Sequence, residues 1–87
     1  MKDVIRINEK DNVAVALTPV AAGTVIEPDP GKPVTVREDI PQGHKVALSD
    51  IRAGENVIKY GFSIGHVLQD VAAGSWLHTH NVKTNLE

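Results

Sequence analysis

The sequence predicts an all-β fold class: one small domain, residues 1–87, of short strands with an internal pseudo-duplication. Three observations carry it. Short runs rich in Val, Ile and Leu recur along the whole chain, separated by Gly, Pro, Asp and Asn. No long segment shows helical periodicity. The pattern aliphatic-x-x-Gly-x-x-aliphatic appears four times, at Val20…Gly23…Ile26, Ile40…Gly43…Val46, Ile51…Gly54…Val57 and Val71…Gly74…Leu77.

Taken in order, residues 3–8 read as a strand with Ile5 and Ile7 on one side and Arg6 and Asn8 on the other. Asp11-Asn12 is a turn signal, and residues 13–17 form the second strand of a hairpin. There, Val13, Val15 and Leu17 face one way, Ala14 and Ala16 the other. Residues 24–27 and 33–37 are strands around Pro28-Asp29-Pro30-Gly31, a strong turn. Strands follow at 45–48, 56–60, 64–68 and 76–82. Residues 64–71 also admit a helical turn.

The four Gly turns are spaced by 20, 11 and 20 residues, so the second half repeats the first with a shift of 31. Asp39, Asp50 and Asp70 stand just before the first aliphatic of three of these turns. Their recurrence points to hydrogen bonds with turn amides rather than to catalysis. Gly supplies the positive φ of a tight turn, and the flanking aliphatics pin both strands to a core. A repeat this short suits a compact β-roll, not a solenoid or propeller.

The repeat also sets side-chain parity. The residue three after each Gly is always aliphatic and is taken as core-facing. Leu77 then points inward with Thr79 and Asn81. Trp76, His78 and His80 point the other way, which places two imidazoles and an exposed indole on one face.

Composition bounds the function. The chain has no cysteine, so disulfides and thiolate metal sites are excluded. With a net charge of −2 and both signs interspersed, nucleic acid is not an expected partner. No apolar run approaches the ~20 residues that span a membrane, and no signal-peptide pattern opens the chain, so no membrane is expected and the location is read as cytoplasmic. Tyr60, Phe62 and Trp76 are the only aromatics. The core must therefore be aliphatic and small, and such a domain leans on a partner.

The residues able to carry chemistry are few. His78-x-His80 reads as a metal half-site or an acid/base pair, against two polar residues on a solvated strand. A catalytic zinc site typically takes three protein ligands, and only His44, His66 and the carboxylates could add one; His44, after the turn glycine Gly43, reads equally as a surface turn residue. His66, between Gly65 and Val67, reads as structural. Lys59-Tyr60-Gly61 reads as an anion-binding group or as a strand end entering a turn. No Ser-His-Asp arrangement, phosphate loop or HExxH is present.

Four stretches in register resemble a known family: Asp11-Asn12-Val13-Ala14-Val15-Ala16-Leu17, Gly43-His44-Lys45-Val46-Ala47-Leu48, Gly54-Glu55-Asn56-Val57-Ile58-Lys59-Tyr60-Gly61, and His78-Thr79-His80-Asn81 followed by Lys83-Thr84-Asn85-Leu86. Together they are similar to the N-terminal module of the altronate and galactarate dehydratases, over nearly the whole chain. The resemblance implies a SAF domain with a β-clip fold. It implies a hydro-lyase that converts an aldonic acid to a 2-keto-3-deoxy acid, with Fe2+ or Mn2+ as cofactor and a separate large catalytic domain or subunit as partner; the chain alone is expected to be inactive. His44, His78 and His80 are then the catalytic candidates, His78 and His80 the metal ligands, and Lys59 and Asn81 the substrate contacts. Two alternatives stand beside it: the small subunit of a sulfolactate sulfo-lyase, which has similar Gly-His-Lys and His-x-His-Asn stretches, and a non-catalytic β-clip module that binds a carbohydrate or a partner.

Overall fold

A computed structural model describes residues 3–28, 32–78 and 80–84. Among them the chain is entirely β, with nine short strands and no helix. Val4–Ile5 (β1), Val13–Ala16 (β2), Lys45–Ala47 (β5) and Trp76–Leu77 (β8) form a four-stranded antiparallel sheet in the order β1-β2-β5-β8. Val25–Ile26 (β3) pairs with Val34–Thr35 (β4). Asn56–Lys59 (β6), Phe62–Val67 (β7) and Val82–Thr84 (β9) form the third sheet. No described helix is long and apolar enough to cross a membrane.

The four-stranded sheet is buried on both faces. Its register sets Val13 beside Ala47 and Ala14 beside Val46, and sets Lys45 and Val46 beside Leu77 and Trp76. Because side chains alternate across a strand, Ala14, Ala16 and Val46 turn to one side. There they pack with Val20, Ile26, Val36 and Ile40. Val13, Ala47 and Leu77 turn to the other and pack with Ile51, Val57, Val67 and Val71. Each half of the repeat thus builds one small core, and the shared sheet joins them. Leu77 is fully buried, a contribution of about 1.5–3 kcal/mol for a side chain of its size.

The 31-residue repeat is a repeat of backbone hydrogen bonds. Val20 and Ile40 exchange reciprocal N–H···O bonds of 2.9 and 2.8 Å, and Ile51 and Val71 do the same at 2.8 and 2.7 Å. Gly23 N donates to Val36 O and Gly54 N to Val67 O; Gly43 N donates to Ala16 O and Gly74 N to Ala47 O. The four repeat glycines have φ of 90°, 82°, 86° and 88°. As the sequence predicts, the aspartates tie turns together. Asp39, Asp70 and Asp50 accept from the amides of Ala22, Ala53 and Ala73 at 2.9, 2.8 and 2.9 Å. The aspartate of one turn caps the amide of its partner turn.

Several expectations change. Residues 64–71 hold no helical turn: β7 runs through Phe62–Val67 as a strand, paired on both sides. The single strand read over 76–82 is broken. β8 ends at Leu77, His78 O accepts from the amides of Asn81 and Val82, and β9 starts at Val82. In β1 the buried residue is Val4, whereas Ile5 and Ile7 are 42% and 50% exposed. In β2 alternation does not separate inside from outside, because both faces are covered: Val13, Ala14 and Ala16 are all buried, and Leu17 is exposed. The 28–31 turn and Thr79 lie largely or wholly outside the described residues.

The β6–β7 hairpin turns at Tyr60-Gly61, both with positive φ, 57° and 77°, the geometry of a tight hairpin turn. A tyrosine pays steric strain in that region. The buried carboxylate of Asp11 holds it there, accepting from Gly61 N at 2.8 Å and from Asn8 N at 3.0 Å. Asn12 bridges the same hairpin, accepting from Ile58 N at 2.8 Å and donating to Asn56 O at 2.9 Å.

Candidate functional site

At one edge of the four-stranded sheet, three histidines gather around Trp76. The fold brings them there by register. Val46 sits opposite Trp76, so His44, two residues before Val46, and His78, two residues after Trp76, extend the same face at the end of adjacent strands. The His44 and His78 rings stack at 4.2 Å, tilted by 29°. The Trp76 indole lies 5.7 Å from the ring of His44, 5.9 Å from His78 and 4.7 Å from His80.

Parity therefore separates the groups as the repeat predicts, with one change. Leu77 and Asn81 are buried, and His78 and His80 are exposed. Trp76, however, is half-buried, with its ring packed on the first core. It is a platform under the histidines rather than an open aromatic surface. Its amide donates to Glu38 Oε2 at 3.0 Å, which anchors the edge strand from outside.

Asn81 shapes the turn that carries the histidines. Its Oδ1 accepts from His78 N at 3.0 Å and its Nδ2 donates to Trp76 O at 2.8 Å. With only 4% exposure, its amide is spent on backbone groups and positions the 76–82 segment. Lys59, at the end of β6, is half-buried, with Nζ 4.9 Å from the centre of the Tyr60 ring. His66 lies in β7 between Asn56 and Lys83 and has no ring contact with the other histidines.

The hydrogen bonding sets protonation. Trp76 Nε1–H donates to His44 Nδ1 at 3.0 Å. Indole nitrogen is only a donor, so His44 Nδ1 is the acceptor and its proton sits on Nε2. His44 thereby offers its Nε2–H outward. His78 is held below its ordinary pKa of 6.5, first by lost hydration beside the stacked rings, then by the charges of His44, Lys45 and His80. At neutral pH it has a free lone pair.

The sequence pattern points to no role for Lys45. The structure places it in the sheet between Val15 and Leu77, half-buried, and its charge is one of the influences that hold His78 below its ordinary pKa. The available signal was a lysine inside the aliphatic run Val46-Ala47-Leu48, directly after the histidine.

The described residues do not complete a metal site. No group of three His, Asp or Glu side chains among the described residues is arranged to hold an ion. His44 has its Nδ1 occupied by the indole, and Lys45 adds positive charge beside His78. The donor set does not fit a resident divalent cation, and His78 and His80 offer at most two ligands. In the ring cluster His78 and His80 are exposed, and His44 and Trp76 are half-buried. Two clefts of about 410 and 520 Å³ lie away from it, around Asn12 and Leu48 and around Val34–Thr35.

Comparison with known proteins adds the lineage. The model of the altronate/galactarate dehydratase SAF domain matches residues 2–85. The chain is 54% identical over 82 residues to altronate dehydratase of Escherichia coli (strain K12), covering 94% of this chain and 16% of that protein. It is 43% identical over 86 residues to altronate dehydratase of Bacillus subtilis (strain 168), covering 99% of this chain and 17% of that protein. It is also 51% identical over 51 residues to the (2R)-sulfolactate sulfo-lyase subunit alpha of Paracoccus pantotrophus, covering 59% of this chain and 76% of that subunit. The chain thus spans about a sixth of the length of the dehydratases it matches.

Proposed function

The chain belongs to the altronate/galactarate dehydratase SAF-domain family, and from that premise we propose that it supplies one wall of the active site of a sugar-acid hydro-lyase. The larger part of the enzyme, which makes up most of the length of the dehydratase relatives, completes the site. The substrate is an aldonic acid of the altronate class and the product a 2-keto-3-deoxy acid. The observation that carries the reading is the gathering of His44, His78 and His80 around Trp76, with one imidazole fixed as a donor and another kept neutral.

The chemistry follows from those states. His78 accepts the proton from the carbon next to the carboxylate. The C–H electrons form the double bond of an enol, and the neighbouring C–O bond breaks. The departing hydroxide takes a proton from the imidazolium left on His78 and leaves as water, and the enol rearranges to the keto acid. His44 Nε2–H donates a hydrogen bond to a substrate oxygen, and His80 lies on the same platform to exchange protons with solvent. Lys59 attracts the carboxylate. Asn81 serves by holding the segment rather than by touching substrate. Divalent iron or manganese, expected of the family, would take its ligands from the larger part, because the described residues offer no fitting set.

A second reading has its own support. The similar sulfo-lyase subunit is a separate small chain, and this chain matches 76% of it. The two readings part on the leaving group. Incubating the chain, assembled with its larger part, with D-altronate and with (2R)-sulfolactate separates them. Formation of the 2-keto-3-deoxy acid from altronate is expected. Sulfite release with no keto-deoxy acid replaces the hydro-lyase by the sulfo-lyase, and neither product leaves a binding module.

A further inference from the structure

Tyr60 breaks a local rule. Among the described residues it is the one non-glycine with a positive φ, 57°. The first position of such a hairpin turn favours Asn, Asp or Gly, because a larger side chain is strained there. Tyr60 nevertheless occupies it and is 50% exposed, and Phe62, just past Gly61, is 75% exposed. Trp76 is the only other aromatic of the chain. Two of three aromatics thus stand at a hairpin tip, and neither joins a core.

The tip is exposed but not loose. The Asp11 carboxylate, itself buried, accepts from Gly61 N, and Asn12 joins both strands of the hairpin at Ile58 N and Asn56 O. The side chain of Asn8 closes on Gly61, where an added Cβ would stand 2.9 Å from Asn8 Nδ2. Lys59 Nζ lies 4.9 Å from the centre of the Tyr60 ring and steadies it from one side. Backbone strain persists only where the surroundings enforce it, and it collects at functional positions. An aromatic side chain fixed in advance loses little freedom on binding, which suits an interface anchor.

We propose that Tyr60 and Phe62 form the anchor by which this domain docks on the larger part of the enzyme, with both rings entering an apolar recess there. The inference rests on the reading of the histidines as one wall of a site that the larger part completes. In the matched dehydratases the matched stretch makes up 16% and 17% of the length, so a much larger protein body is at hand to cover the tip. Phe62 has no hydrogen-bonding group, so a polyhydroxy acid gains less from it than a protein surface that buries both rings. Among the described residues neither ring has a ring contact with the platform, so docking through the tip leaves the histidines free to face substrate. Asn12 ties the hairpin to the start of β2, β2 pairs with β5, and β5 with β8. Anchoring the tip therefore fixes the orientation of the platform.

The test compares the 87-residue chain with the chain assembled with its larger part. Hydroxyl-radical labelling is expected to fall about fivefold or more at Tyr60 and Phe62 on assembly, and to stay within twofold at Val25, which is exposed on β3. Tyr60→Gly relieves the backbone and removes the ring. That variant is expected to melt no lower than the parent chain, while the dissociation constant of the assembly rises about tenfold or more. Phe62→Ser is expected to weaken assembly to the same degree, and Val25→Ser less than twofold. Labelling of both rings unchanged on assembly, or equal weakening by Val25→Ser, overturns the anchor. So do tip variants that assemble within twofold of the parent, whether they instead abolish self-association of the chain, which gives the tip to a second copy, or abolish binding of D-altronate, which gives it to the sugar acid. The two levels fail separately. Weakened assembly of both tip variants together with full turnover by His78→Gln removes the histidine wall and keeps the anchor. Unchanged assembly of the tip variants together with slow turnover by His78→Gln does the reverse.

Discussion

Trp76 Nε1 donates to His44 Nδ1 at 3.0 Å, joining residues 32 apart in sequence across adjacent strands. The bond does two things at once. It satisfies the polar atom of a half-buried indole, which would otherwise be stranded over the first core. It also selects the His44 tautomer, because the nitrogen that accepts cannot carry the proton.

Removing the donor while keeping the ring separates these effects. Trp76→Phe retains a platform for His78 and His80 but gives His44 no N–H. We expect the nitrogen shifts of His44 to move from a single Nε2–H form to a mixture of tautomers. Stability should fall by about 0.5–1.5 kcal/mol, the usual worth of one such bond. A His44 spectrum unchanged in Trp76→Phe would show that the indole does not set the tautomer.

The His78 titration has a definite sign. Its pKa lies below 6.5 in the fold, so between that value and 6.5 the unfolded chain binds more protons than the native one. The contribution to stability is complete above pH 6.5 and is lost as pH falls through the folded pKa. A proton NMR titration should give a midpoint below 6.5. Lys45→Met removes one of the positive charges acting on the ring and should raise that midpoint; a fall on substitution would refute the assignment.

The turn glycines differ in what surrounds them. A Cβ on Gly23 meets nothing within 4 Å, but one on Gly74 would stand 2.1 Å from Thr35 O. Gly23→Ala should therefore cost only the positive-φ penalty, about 1–2 kcal/mol. Gly74→Ala adds a backbone overlap and should cost roughly 1–3 kcal/mol more. Urea unfolding of the two variants measures the difference, and equal costs would contradict the close approach.

Asp39 and Asp70 occupy equivalent positions of the repeat and make equivalent bonds. Asp39→Ala and Asp70→Ala should each lower stability by about 1 kcal/mol, with the double variant close to the sum, since they serve different cores. Strong non-additivity in thermal unfolding would mean that the two cores do not act independently.

Much of this was legible in the sequence, because the repeat leaves a chemical trace. A positive-φ turn requires glycine, a capped turn favours aspartate, and a core position requires an aliphatic, so a 31-residue hydrogen-bond repeat appears as letters. The inward placement of Leu77 followed from that register, whereas Asn81, also buried, is held there by its turn. Strand lengths did not follow from it. Side-chain alternation implies one wet and one dry face, and a sheet between two cores has neither, so Ile5, Ile7 and Leu17 lie outside while Ala14 and Ala16 lie inside. The break after Leu77 was hidden because Asn81 makes a turn by bonding backbone atoms, which the pattern His-x-His does not announce. The place of Lys45 between Val15 and Leu77 is a matter of strand register, which the local run of letters does not carry.

The central claim is that the histidine platform takes part in the elimination. The most direct measurement is the single-turnover rate of keto-deoxy acid formation from D-altronate by the chain assembled with its larger part, compared with His78→Gln. General base catalysis contributes roughly 10²–10⁴-fold, so the variant should be at least a hundredfold slower, with bound substrate still saturating. A His78→Gln rate equal to that of the parent would place the chemistry wholly outside this chain.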